Sequence, residues 1–155
     1  MNRSKSTPCG AAFLLAQLGA HAAERFADRI AVLGLSPPEA GILRMIATMP
    51  SCNQQTLGNR LGVLPSRMVI LIDELAEKGL VERKRSQTDR RHSELLLTRA
   101  GRQMLEKVSK LGLEHENVLC AALTAEERKS LVMLCGKIVN EQGLTPGVHP
   151  GYKKL

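Results

Sequence analysis

The apolar pattern of this chain changes period once, between residues 80 and 97, and that change constrains the fold more than any other feature. Leu80-Val81-Glu82-Arg83-Lys84-Arg85 and Ser93-Glu94-Leu95-Leu96-Leu97 are short strand-like runs. They flank Ser86-Gln87-Thr88-Asp89-Arg90-Arg91-His92, which makes a hairpin with a long basic tip. Everywhere else apolar residues recur at three and four positions, the spacing of helices. The core has little else to use. Aromatic residues are 2% of the chain (Phe13, Phe26 and Tyr152, with no Trp), so a 43% hydrophobic content is carried by Leu, Ile, Val, Met and Ala. That composition suits helix packing better than a β-sandwich. The expected class is mainly α with a small β-hairpin (α+β).

Capping chemistry divides the helical part. A loose arm, residues 1–7, precedes a first helix over about residues 8–33 that stops at Gly34. Ser36-Pro37-Pro38-Glu39 is a capping box with proline in the first turn, followed by Ile42, Leu43, Ile46 and Ala47 as an apolar face. Asn53 can cap a short helix through Leu61, with Leu57 and Leu61 inward and Gly62 ending it. Pro65 opens a fourth helix that ends at Lys78-Gly79. Thr98 caps a fifth with Met104, Leu105, Val108, Leu111, Val118 and Leu119 on its apolar face. Thr124-Ala125-Glu126-Glu127 is a second capping box, opening a helix that carries Leu131, Leu134, Cys135, Ile138 and Val139. The Pro/Gly-rich end after Gly143 reads as a flexible tail, residues 144–155.

The N-terminus imitates a secretory signal. Arg3 and Lys5 precede an apolar run over residues 11–18, and Ala20-His21-Ala22 resembles a cleavage site. Yet Gln17 interrupts the run. Leu15, Leu18, Ala22, Phe26, Ile30 and Leu33 also stay in helical phase past the supposed cut, which a discarded leader has no reason to do. The expectation is one amphipathic helix in a cytoplasmic protein without a membrane span. Cys9, Cys52, Cys120 and Cys135 show no CxxC pairing and lie in or beside apolar stretches, as free thiols do in a reducing compartment.

The formal net charge is +7, and it is not evenly spread. Between residues 78 and 102, eight basic residues (Lys78, Arg83, Lys84, Arg85, Arg90, Arg91, Arg99, Arg102) outnumber three acidic ones (Glu82, Asp89, Glu94), a net +5. A solvated face is the bland explanation for a charge run. Here the cations straddle a hairpin that follows two short helices joined at Gly62, which are the parts of a winged helix-turn-helix, so double-stranded DNA is the expected partner. Single-strand modules are disfavoured because they need aromatic platforms. In the fourth helix, Met68, Leu71, Ile72 and Leu75 must face the core. Pro65, Ser66, Arg67, Val69 and Ile70 are left near its N-terminus to meet a major groove, where Arg67 could read guanine and Ser66 a phosphate or base edge. Asp73, Glu74 and Glu77 fall further along, away from phosphates.

Residues 35–101 resemble the MarR family (multiple antibiotic resistance regulators). The matching pieces are Leu35-Ser36-Pro37-Pro38, Leu57-Gly58-Asn59-Arg60-Leu61-Gly62-Val63, Leu75-Ala76-Glu77-Lys78-Gly79-Leu80-Val81-Glu82-Arg83 and Asp89-Arg90-Arg91, leading to Leu95-Leu96-Leu97-Thr98-Arg99-Ala100-Gly101. The resemblance implies a homodimer whose first and last two helices interlock. It divides the chain into an arm and dimerisation helix (1–34), a winged helix-turn-helix domain (35–99), C-terminal dimerisation helices (100–143) and the tail. It also implies a sequence-specific transcriptional regulator in the repressor sense, a near-palindromic operator, and release by a small anionic or phenolic effector. Family wings insert an arginine into the minor groove, a role that carries over to Arg91, with Asp89 orienting it or closing the turn. Arg83, Arg85, Arg90 and His92 complete the expected DNA-binding residues of the wing, His92 meeting phosphate. One departure stands out. Many members have a polar pair where this chain has Val69-Ile70, which can meet thymine methyls but cannot make bidentate base contacts.

Other classes compete with this one. Cys9 near a helix start could act as a redox sensor, but the tyrosines that surround such a cysteine in relatives are missing. His21 with Glu24, and Glu114-His115-Glu116, could ligate a metal, but no second close His-rich pair reinforces them and polar residues on the solvent side of long helices explain them better, so no metal or cofactor is expected. An enzyme is not expected either: there is no Gly-rich phosphate loop, no GxSxG and no convincing Cys/His or carboxylate pair. A winged-helix interaction module without DNA binding would have no need of so many wing arginines.

Overall fold

The structure, a computed structural model, describes residues 9–49, 51–85 and 93–154. The expected arm and the wing tip with Asp89, Arg90, Arg91 and His92 lie outside the described residues. The element order is α1 (Ala11–Ala31), α2 (Pro37–Thr48), α3 (Gln54–Leu61), α4 (Pro65–Glu77), β1 (Val81–Arg85), β2 (Ser93–Leu97), α5 (Arg99–Leu119), α6 (Ala125–Glu141) and a 3-10 helix (Pro150–Lys154). The period change falls where expected: β1 and β2 are antiparallel, with Val81 opposite Leu97 and Arg85 opposite Ser93.

The capping residues act as their chemistry predicts. Ser36 Oγ accepts from the Glu39 amide while Glu39 Oε2 accepts from the Ser36 amide at 2.8 Å. Asn53 Oδ1 accepts from Thr56 N at 2.8 Å and Thr98 Oγ1 from Gly101 N at 2.9 Å. Thr124 and Glu127 form the second box. Each cap contributes about 1 kcal/mol by satisfying an amide that the helix leaves without a partner. Gly62 ends α3 in the left-handed region at φ 68°, a conformation a Cβ would oppose, and so sets the turn into α4.

One core unites the middle of the chain. Ile30 of α1, Ile42, Leu43 and Ile46 of α2, Leu57 and Leu61 of α3, and Met68, Leu71, Ile72 and Leu75 of α4 are buried, with Leu80, Val81, Leu95, Leu97 and Val108. Burying each of the larger side chains contributes about 1.5–3 kcal/mol. The buried stripe of α2 takes Met45, three residues on from Ile42, and leaves Ala47 exposed, contrary to the sequence expectation. The base of the hairpin is fastened to α5: Thr98 Oγ1 donates to Gly79 O at 2.6 Å, and Thr98 N donates to Leu80 O at 3.1 Å. Gly101 permits this approach, since a Cβ there would lie 2.0 Å from Leu80 O.

The two ends of the chain differ from this middle. No residue of α6 is buried. Phe13, Leu14, Leu15 and Leu18 of α1, Leu113 and Val118 of α5, and Leu131, Val132, Met133 and Leu134 of α6 are exposed. The turn between α5 and α6 is nonetheless well specified: Arg128 Nε donates to Cys120 O at 3.2 Å, and its Nη1 donates to Asn117 Oδ1 at 2.9 Å. Among the cysteines, Cys52 is buried as expected, whereas Cys9 is exposed, two residues ahead of α1. The expected loose tail is instead folded against α2 as far as Lys154. Arg44 Nη2 donates to Gly147 O at 2.7 Å, and Tyr152 is buried. No helix among the described residues is long and apolar enough to cross a membrane.

Candidate nucleic-acid interface

Helix α4 has two faces fixed by spacing. Met68, Leu71, Ile72 and Leu75 anchor it to the core, so Pro65, Ser66, Val69 and Ile70 turn outward and Arg67 is half-exposed. Val69 and Ile70 are 41% and 47% exposed, a large apolar step on a helix that has already met its packing needs. The N-cap residue is Leu64, which supplies no side-chain bond, and Pro65 has no amide hydrogen. The N-terminal end of α4 therefore keeps its positive dipole end uncapped by any side chain, a setting that favours an anion. Glu74 and Glu77 are exposed further along the helix.

The cations of the hairpin are not equivalent. Arg83 on β1 donates through Nη2 to Asp73 Oδ1 of α4 at 2.6 Å and to Gln54 Oε1 of α3 at 3.3 Å. It fastens β1 to both helices of the helix-turn-helix, a positioning role that its place in a basic run did not suggest. Lys78 donates to Glu39 Oε1 at 2.6 Å and to Gly34 O at 2.9 Å, tying the end of α4 to the start of α2. Burial pushes the Glu39 carboxyl up, but hydrogen bonds from Lys78 and Ser36 outweigh it and hold the group below its usual range. Arg102 donates to Leu97 O at 2.7 Å. Lys84 and Arg85 are exposed on β1 and Arg99 at the start of α5, so the remaining described cations of the region stand on the surface.

Cys52 links the helix-turn-helix to the hairpin. Its carbonyl accepts from Leu95 N at 2.6 Å, which joins the start of α3 to β2, and burial pushes its thiol up, away from the reactive thiolate.

A cavity of about 790 Å³ opens beside the winged core, between α1, α2, α5 and the C-terminal segment. Phe26, Pro38, Arg44, Leu105, His149 and Tyr152 are among its lining, which is mostly apolar with one guanidinium. Sequence reasoning found neither Arg44 nor Tyr152. A second hollow of about 580 Å³ gathers His21, Arg25, Arg29 and His115 between α1 and α5. Burial holds His115 below its usual range, helped by the charges of Arg29 and His21 against the opposing pull of Glu116. The candidate metal ligands His21, Glu24, Glu114, His115 and Glu116 are not gathered into a group of three or more among the described residues.

Comparison with known proteins fits this geometry. The model of the MarR family matches residues 33–92. A protein of Thauera aromatica, named for transcriptional regulation of the hcr operon, is 32% identical over 113 residues, covering 73% of this chain and 68% of that protein. The transcriptional repressor CouR, solved bound to a 23-mer DNA duplex, is similar at TM-score 0.73 and 30% identity, over 84% of this chain and 92% of that one. Wild-type MarR from E. coli in its apo form shares the fold at TM-score 0.72 and 22% identity, over 85% of this chain and 98% of that one.

Proposed function

The chain belongs to the MarR family of DNA-binding transcriptional regulators, and from that premise we propose a homodimeric repressor that reads a near-palindromic operator and is released by a small anionic or phenolic molecule. The observation that carries the reading is the two-faced α4. Its core side is fully committed, while its outer side offers Ser66, Arg67, Val69 and Ile70, and the hairpin that follows carries the exposed Lys84 and Arg85. Arg67 would contact a base edge, Val69 and Ile70 would meet thymine methyls, and the uncapped N-terminal end of α4 would face a phosphate. Arg85 joins the wing contacts, and Asp89, Arg90, Arg91 and His92 enter by family resemblance, with Arg91 in the minor groove. The exposed apolar residues of α1, α5 and α6 support the dimer, because a monomer rarely leaves so much apolar surface in water. The cavity supports the effector: its volume lies within the range of small-molecule sites, and Arg44 at its wall suits a carboxylate or phenolate. No reaction is assigned to the protein.

Selection of bound fragments from a random duplex pool tests this reading. The expected outcome is enrichment of an inverted repeat with half-sites about one helical turn apart. Arg67→Ala should relax preference within the half-site by about 1–3 kcal/mol if the contact is bidentate to guanine. Arg91→Ala should lose preference at flanking A·T positions instead. An unenriched pool, or enrichment of a sequence without symmetry, would overturn the dimeric operator reading.

A further inference from the structure

The C-terminal segment forms one wall of the cavity described above, and α2 is built to receive it. After Gly143 the backbone turns back over α2. Arg44 holds the Gly147 carbonyl at 2.7 Å, and His149 Nδ1 accepts from Gly151 N at 3.0 Å, closing the turn that starts the 3-10 helix. Tyr152 then inserts: it is 7% exposed, and its hydroxyl donates to Pro38 O in the first turn of α2 at 2.9 Å. The receiving surface has a place cut for the ring. Gly41 lies one turn along α2 from Pro38, and a Cβ there would fall 1.9 Å from the Tyr152 hydroxyl oxygen. The next residue, Lys153, lays its stem along Gly62, where α3 turns into α4; a Cβ on that glycine would meet Lys153 Cγ at 3.2 Å. The segment leading out of α6 therefore grips α2 with a phenol and reaches the turn of the helix-turn-helix with a lysine. Burial pushes the Tyr152 phenol up to about 12, so it stays a neutral hydrogen-bond donor across the working pH range.

We propose that Tyr152 is a tethered occupant of a phenol subsite on α2 at the wall of the cavity, and that a diffusible phenol taking this subsite displaces it, lifting the C-terminal segment from the helix-turn-helix. The subsite is formed by the Pro38 carbonyl and the bare backbone of Gly41, with the Arg44 guanidinium alongside once Gly147 withdraws. Its ligand class is a small monocyclic phenol, with an added carboxylate reaching Arg44. A tethered competitor lowers the apparent affinity for the free ligand by the fraction of molecules in which the subsite is vacant. The regulator thereby sets its own threshold. This rests on the effector reading of the cavity given above, and the two can fail separately.

Tyr152 is the only tyrosine and there is no tryptophan, so phenolate absorbance reports this residue alone. In the full-length dimer at pH 11, a docked phenol near 12 should be about one tenth ionised, whereas an ordinary tyrosine near 10 would be about nine tenths ionised. The probe for the subsite is 4-methylphenol, the side chain of tyrosine as a free molecule, followed by calorimetry. Tyr152→Ala should bind it at least about tenfold more tightly than the unaltered protein, and should be released from DNA at correspondingly lower concentration. A Tyr152 that ionises like a free tyrosine while the helices remain intact overturns the proposal. So does equal affinity of the two proteins for 4-methylphenol, or binding by neither. If Tyr152→Ala gains affinity for 4-methylphenol but neither protein's grip on DNA responds, the tethered occupant stands and the effector reading of the cavity fails.

Discussion

Arg83 and Asp73 offer the sharpest separation between positioning the wing and neutralising DNA. Their contact of 2.6 Å joins two side chains that are 37% and 49% exposed, so solvent screens most of the attraction. Such a pair contributes roughly 0.2–1 kcal/mol to folding, and either single alanine variant should melt within a few degrees of the parent. DNA affinity should respond quite differently. If Arg83 serves chiefly to hold β1 against α4 through Asp73, losing either partner lets the wing drift. Asp73→Ala should then weaken binding by about three- to tenfold, the equivalent of roughly 0.7–1.4 kcal/mol. It should do so even though it removes a negative charge from the interface. Arg83→Ala should weaken binding slightly more, lowering the salt slope by up to about one if the guanidinium also meets a phosphate. The double variant should match Arg83→Ala, giving a coupling energy near the whole effect of Asp73→Ala. Fluorescence anisotropy with the selected operator between about 50 and 200 mM salt provides the cycle. Tighter binding by Asp73→Ala would refute the reasoning, because it would mean that Asp73 merely withholds Arg83 from phosphate.

Three further outcomes follow from the packing. Gly101→Ala should lose about 2 kcal/mol, a fall in Tm of about 4–8 °C, because the added methyl would meet Leu80 O at 2.0 Å and outweigh the usual helix gain of alanine; a higher Tm would contradict this. The folded-state pKa of Glu39 is lowered, so its stabilisation is fully present above the ordinary carboxyl range and is lost as pH falls through that range and below. Glu39→Gln should therefore destabilise most near neutrality and converge with the parent in acid, as denaturant titrations across pH would reveal; a constant difference would count against the linkage. Sedimentation at micromolar concentration should give twice the chain mass of 16.9 kDa, and a stable monomer would remove the dimeric reading.

What could be read from the sequence was local. Ser36 with Glu39, Asn53, Thr98, and Thr124 with Glu127 announce helix starts because a cap needs partners only two or three residues away. The partition of α4 was legible because Met68, Leu71, Ile72 and Leu75 carry the helical period in large aliphatic side chains. What escaped was long-range. Tyr152 meets Pro38 across 114 positions and Arg44 meets Gly147 across 103, and nothing near either residue marks such a pairing. A tail rich in Pro and Gly looked loose for want of periodicity, although its single aromatic was a hint that something must cover it. The tie of Arg83 escaped for a related reason: a basic run shows how many cations there are, not that one of them is held by Asp73 across the α4–β1 turn.

The bonds that Arg128 makes to Cys120 and Asn117, with the box of Thr124 and Glu127, have a bearing on how two copies would find each other. They fix the angle between α5 and α6 from within the corner itself, without help from any buried residue of α6. A second chain arriving at that apolar hairpin would meet a surface already in its final shape. Little chain entropy would remain to be lost at the encounter, so association would proceed as the docking of finished parts rather than as folding completed in company. The rate of pairing would then be set by collision and orientation.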